Sequence, residues 1–183
     1  MAELTDTAAG LMKAANRARL ENRLADSLRD YAEAIAICRQ SGAQRELIKA
    51  LKALGQIERD LDRGDAALPL YEEAVAICRE QDDPLLLAHT VRHVGDIHRD
   101  AKRPELAEPC YVEAIAIYRS NALTEVLDLA NALRGLAILK DDAGEAEEAK
   151  RLWTEARDLY AAGNVQDGVA ESSRRLTRLE ARS

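Results

Sequence analysis

One phrase is written four times along this chain, and it constrains the fold more than any other feature. Tyr31 to Cys38 reads YAEAIAIC, Tyr71 to Cys78 reads YEEAVAIC, Tyr111 to Tyr118 reads YVEAIAIY, and Trp153 to Tyr160 reads WTEARDLY. The anchors at 31, 71, 111 and 153 are separated by 40, 40 and 42 residues. Recurrence at such an interval means that one supersecondary unit is built several times, each copy burying its apolar face against its neighbours.

The residues around each anchor describe that unit. Four positions before it stands a small residue (Ser27, Ala67, Ala107, Ala149), and three after it an alanine (Ala34, Ala74, Ala114, Ala156). Small, aromatic and small residues at i, i+4 and i+7 share one helix face, and such a face can approach another helix closely. Twelve residues before each small residue lies a second set, Ala15, Gly55, Gly95 and Ala137, each preceded by an apolar residue (Ala14, Leu54, Val94, Leu136). Leu11, Leu51, Val91 and Leu133 come three residues before those. This second stripe belongs to a preceding helix, with the small residue where the pair crosses.

Punctuation fits helical hairpins. Asp83-Pro84 places a capping residue before a proline at the first helical position, and Pro104 can start a helix in the same way. Gly64-Asp65 and Ala143-Gly144 suit turns inside hairpins, and Gly42 and Gly163 suit turns between or after them. The reading gives helix pairs at about 6–21 with 24–40, 44–61 with 65–80, 84–101 with 104–119, and 124–142 with 145–161. Pro69 and Pro109 fall at one repeat position inside the second helices, where a bend or a late helix start is expected. After Gly163, Val165 to Leu179 carries apolar residues at Val165, Val169, Leu176 and Leu179 and resembles a first helix without its second. A capping helix over about 165–181 is expected there, because an array needs a polar-faced end. The whole chain, 1–183, is expected to form one domain.

These offsets resemble tetratricopeptide repeats, whose signature runs apolar, Leu-Gly, then Ala, aromatic, Ala. The match spans Leu11 to Tyr160. The period exceeds the family's usual length of about 34 and is similar to the longer variety found in kinesin light chains and bacterial regulatory proteins. The resemblance implies an all-α fold, a right-handed α-solenoid of four helix-turn-helix hairpins plus the capping helix, and a protein-interaction role without catalysis.

Composition narrows the function classes. A formal net charge of -7 disfavours a nucleic-acid backbone or an anionic membrane as the main partner. Met1 to Leu11 does not read as a signal peptide, and no stretch is apolar enough to span a bilayer. Cys38, Cys78 and Cys110 lack paired metal-type spacing, so small core thiols in a reducing, cytoplasmic setting are expected. Glycine-rich phosphate loops, GxSxG elbows and CxxC pairs are absent, and no cofactor is expected. His89 and His93 form an i, i+4 pair with Asp96 nearby, a spacing that can offer two imidazoles to zinc. Thr90 replaces the glutamate of HExxH, so groove-lining imidazoles are the expectation, with a metal or enzymatic site as the minor alternative. His98 is expected to pack in the core.

In the resembled family the first helices line a concave groove. Transferring its positions gives Lys13, Asn16 and Arg19, then Lys49, Lys52, Gln56 and Arg59. The third repeat adds His89, Arg92, His93, Asp96 and Arg99, and the fourth Asn131, Arg134, Asp141 and Asp142. A mostly basic lining on an acidic protein would steer an acidic or extended peptide segment inward. The family's carboxylate clamp matches poorly, since Met12, Ala53, His89 and His93 stand where Lys, Asn, Lys and Arg are expected. Self-association through helix faces or terminal edges is the alternative from a structural class.

Overall fold

The computed structural model describes residues 2–181. All regular elements among them are helices: α1 (Ala2–Leu20), α2 (Leu24–Ser41), α3 (Gln44–Asp60), α4 (Gly64–Arg79), α5 (Pro84–Asp100), α6 (Pro104–Ser120), α7 (Val126–Asp142), α8 (Ala146–Ala162) and α9 (Gln166–Glu180). They fall into two compact units, Met1–Asp82 and Asp83–Ser183. The first unit holds hairpins α1/α2 and α3/α4. The second holds α5/α6, α7/α8 and the lone α9. None of the described helices is long and apolar enough to cross a membrane.

Each unit has two rows. In the second, first helices neighbour first helices, α7 joining α9 through Arg134 with Glu171 and Asp141 with Arg175. Second helices likewise neighbour second helices, α6 reaching α8 through Arg119 and Glu155, 2.6 Å apart. The first unit repeats the scheme, with Arg19 on α1 bonded to Asp60 on α3 at 2.7 Å and Arg39 on α2 bonded to Glu73 on α4 at 2.5 Å.

One turn recurs inside every hairpin and before α9. It is three residues long, and its central residue is left-handed: Asn22, Asp62, Lys102, Gly144 and Asn164, with φ between 56° and 79°. In each, the N–H after that residue returns to a carbonyl in the last helical turn, as from Arg23 to Ala18 and from Arg103 to His98. This closure satisfies carbonyls that a helix end leaves open. Links between hairpins obey no such rule. Gly42 with a φ of 69° serves the first, and Asp83 caps α5 by accepting the Leu86 N–H at 3.0 Å in the second.

The anchors carry the core. Tyr71, Tyr111 and Trp153 are fully buried and Tyr31 nearly so, and their flanking Ser27 and alanines are inaccessible to solvent. Burying each aromatic contributes on the order of 1.5–3 kcal/mol. The expected close crossing is met: a Cβ on Gly55 would lie 2.7 Å from the Tyr71 ring, and one on Gly95 3.1 Å from Cys110 Cβ. Gly135, which the repeat pattern did not single out, is tighter still, its added Cβ coming 2.3 Å from Tyr111. The Tyr111 ring is therefore wedged between glycines of α5 and α7. His98, Cys38 and Cys78 are buried, and Cys110 is half-buried.

Several local expectations differ. The first helix starts at Ala2 rather than near residue 6. Its apolar stripe is weaker than the others, with Leu11 half-buried and Ala14 exposed. Gly64 begins α4 instead of sitting in the turn. Pro69 and Pro109 delay no helix start, since α4 and α6 begin five residues earlier, at Gly64 and Pro104. Both prolines lie on exposed faces, where water can satisfy the one carbonyl each leaves without its helical donor.

Candidate functional site

In the second unit the first-helix row carries a connected polar network. Arg92 of α5 donates from Nη1 to Asp96 Oδ2 at 3.0 Å, one helical turn along. The other Asp96 oxygen accepts the Tyr111 hydroxyl at 2.7 Å and Arg99 Nη1 at 3.3 Å. Arg99 also donates to the Tyr111 hydroxyl at 3.0 Å and to Asp100 at 2.8 Å. On α7, Arg134 grips Glu171 of α9 through Nε and Nη2 at 2.7 and 3.0 Å. One turn before Arg134, Asn131 accepts the Tyr160 hydroxyl at 2.8 Å through its carboxamide oxygen. Arg175 of α9 donates to Asp141 at 3.2 Å and stacks over the Trp153 ring at 5.6 Å.

Electrostatics rank these groups. Burial by itself would raise the Asp96 carboxyl, but the bond from His93, the Arg92 and Arg99 charges and the Tyr111 hydroxyl overcome it and hold Asp96 well below the ordinary carboxylate range. Burial and the neighbouring Asp96 charge push the Tyr111 hydroxyl far upward. Tyr118 is pushed up to about 12, chiefly by burial and then by Asp128, with Arg92 opposing. Glu171 is lowered: burial works against the shift, and its bond and charge interaction with Arg134 prevail.

Of the proposed groove residues here, Arg92 and Asp96 are buried, at 9% and 7% exposure. Breaking a buried ion pair from one side costs about 3–5 kcal/mol, so these two act as structure rather than as ligand-facing charge. The Arg134 and Glu171 side chains retain 36% and 26% exposure. A pair so open is worth about 0–1 kcal/mol, within what a ligand can displace.

The two imidazoles meet with ring centroids 4.7 Å apart. Since Arg92 can only donate, the His93 Nε2 that lies 3.0 Å from its Nη2 must accept. That leaves Nδ1–H facing Asp96 at 3.5 Å. Both His93 nitrogens are thus committed within the protein. Among the described residues no group of three His, Cys, Asp or Glu side chains could hold a metal ion.

The first unit places its candidates differently. Lys13, Asn16, Arg19 and Lys49 are exposed, and Lys52, Gln56 and Arg59 are half-buried. Arg19 shares Asp60 with Gln56, whose amide donates at 2.6 Å. Lys49 approaches Glu46 only to 3.9 Å. Lys49 is therefore loosely held, whereas Arg19 is engaged by Asp60 at 2.7 Å.

Sequence reading missed Tyr111 and Glu171 as members of the polar face. Tyr111 was assigned to the core, which it also fills. Glu171 lies on the helix assigned a capping role, and its signal was spacing: 37 residues separate it from Arg134, and 36 separate Glu155 from Arg119.

Comparison with known proteins bears on the fold. A search of curated protein sequences found no match. Among solved structures, the chain is similar to aspartyl phosphate phosphatase F from Bacillus subtilis, with a TM-score of 0.81 at 15% identity over 92% of this chain and 44% of that one. The apo form of RapI gives 0.82 at 14% identity over 91% of this chain and 60% of that one. A Rap protein complexed with Competence and Sporulation Factor gives 0.77 at 15% identity over 96% and 52%. The chain thus spans 44% to 60% of the length of these proteins, and at such identities the likeness is one of fold. Two profiles described as tetratricopeptide repeat match residues 47–80 and 83–162, the same stretches in which small residues receive the aromatic anchors. The chain belongs to the tetratricopeptide repeat family.

Proposed function

We propose that the chain is a non-enzymatic protein-interaction module whose first-helix rows receive an extended segment of a partner protein, in a reducing, cytoplasmic setting. Asn131 carries this reading. Its carboxamide oxygen is fixed by Tyr160, which orients the amide so that its two N–H donors are offered elsewhere. The side chain is half-buried beside Arg134 on α7. A preoriented amide of this kind suits an extended segment, whose backbone carbonyls lack partners of their own. A Rap protein of similar fold has been crystallised in complex with Competence and Sporulation Factor, which supports a binding role for such an array.

A preference for acidic segments rests on the first unit, where exposed Lys13 and Lys49 with half-buried Lys52 and Arg59 supply positive charge. The test uses a partner recovered by affinity capture from the source cell. Asn131→Ala is expected to weaken its binding about tenfold at any salt concentration, the worth of one good hydrogen bond. Lys49→Glu with Lys52→Glu should weaken it mainly at low salt. Wild-type affinity in both variants removes the reading.

Self-association is favoured by one observation. Leu123 stands 80% exposed in the link before α7, near the 40% exposed Val126 that begins that helix. Light scattering that shows a monomer at every concentration dismisses it.

A further inference from the structure

In the second unit Arg92, Arg99, Arg134 and Arg175 each meet a carboxylate, but not in one manner. Arg92 is paired within α5 and is buried with Asp96. Arg99 divides its donors among Asp96, Asp100 and Tyr111. Arg175 reaches across to α7, but its partner Asp141 has a side chain only 5% exposed and the guanidinium is also stacked on Trp153. Arg134 differs from all three. Its counter-ion comes from another helix, both side chains are open to solvent, and the contact is a two-pronged grip at 2.7 and 3.0 Å. That geometry is how a guanidinium takes a carboxylate from a separate molecule.

We propose that Glu171 is an internal counter-ligand: the carboxylate of α9 occupies the Arg134 guanidinium that an acidic side chain of the bound segment would take. This deepens the reading of the first-helix row as a peptide site and rests on it. The consequence is selective. A lone carboxylate on the incoming segment only exchanges one ion pair for another and gains little at Arg134. A segment must bring further contacts, such as backbone bonds to the neighbouring Asn131, to win the exchange. Glu171 then sets a threshold against the many acidic chains in a cell, and α9 acts in recognition as well as in packing against α8.

The test titrates N-acetyl-hexaglutamate amide, with hexaglutamine as the neutral control, against the full chain. Binding is measured by isothermal titration calorimetry in every variant, and the Arg134 Nε–H resonance is followed as well wherever Arg134 is present. Glu171→Gln should bind hexaglutamate about two- to fivefold tighter than wild type, in line with an open ion pair, with no change for hexaglutamine. The double variant Arg134→Gln with Glu171→Gln should lose that gain, because the cycle isolates the pairwise contribution. Equal or weaker hexaglutamate binding by Glu171→Gln overturns the proposal, as does a gain that persists without Arg134. If neither wild type nor Glu171→Gln distinguishes hexaglutamate from hexaglutamine, Arg134 is no acid receptor and the proposal falls. The peptide-site reading is judged separately by Asn131→Ala. Should Glu171→Gln melt early, Glu171→Asp carries the test: it keeps the charge, shortens the reach, and is expected to give a smaller gain in the same direction.

Discussion

The two units use the same hairpin for different electrostatic ends. Along α1 and α3 the candidate site mixes Lys13, Lys49 and Lys52 with Arg19, Arg59, Asn16 and Gln56, all exposed or half-buried. Its contacts run from the 2.7 Å pair of Arg19 and Asp60 to the 3.9 Å approach of Lys49 to Glu46. Along α5, α7 and α9, Arg92, Arg99, Arg134 and Arg175 each meet a carboxylate at 3.3 Å or less. Lysine is a mobile, strongly hydrated point charge, whereas arginine holds planar, directional pairs. The difference teaches that counting cations along a face overstates its positive charge. The first unit leaves its candidate cations more exposed, and the second commits four arginines to its own order.

The largest expected effect breaks that order. Asp96→Ala removes the acceptor of Arg92, Arg99 and Tyr111 and leaves buried donors behind, so urea unfolding should show a loss of about 3–5 kcal/mol. A loss below about 1 kcal/mol would mean that the network is incidental. Acid should produce a smaller and more gradual effect. Because Asp96 has a folded pKa below its unfolded value, its contribution is fully present above the unfolded carboxylate value of about 4 and is lost as the pH falls through the folded value. Trp153, the chain's one tryptophan, lies in the second unit, so its fluorescence should report destabilisation below about pH 4. Asp96→Ala should flatten that dependence. The smallest effect belongs to the first unit. Arg19→Ala deletes an ion pair whose side chains are 42% and 47% exposed, and its thermal unfolding should match wild type within about 0.5 kcal/mol. A larger loss would erase the contrast between the units.

The fold was largely legible in the sequence because its determinants are periodic. Tyr71 and Gly55, or Tyr111 and Gly95, occupy fixed offsets, and burial makes each offset a strong constraint. Asp83 and Pro84 declared a helix start through local chemistry alone. The site was less legible. Polar side chains on a first helix choose partners through rotamers and neighbouring elements, so Arg92 and Arg134 read alike although one is buried with Asp96 and the other opens onto Glu171. Gly135 went unrecognised because its contact is with the preceding hairpin's Tyr111, outside the hairpin that the signature describes. Lys102 and Asp62 hid their left-handed turns because neither is glycine. There the closing hydrogen bonds outweigh the strain, which an isolated residue pays at about 1 kcal/mol.

Those turns bear on how the array can be rebuilt. A three-residue turn closed by a fixed hydrogen bond sets the phase of the helix that follows, so an inserted residue would rotate that helix by about 100° and pull its anchor from the core. The links between hairpins are not locked to one length, running over 42–43, 80–83 and 121–125. An engineer who wishes to splice in a reporter or a cleavage site should choose 121–125, where Leu123 already projects into solvent. The hairpin interiors are the places to leave untouched.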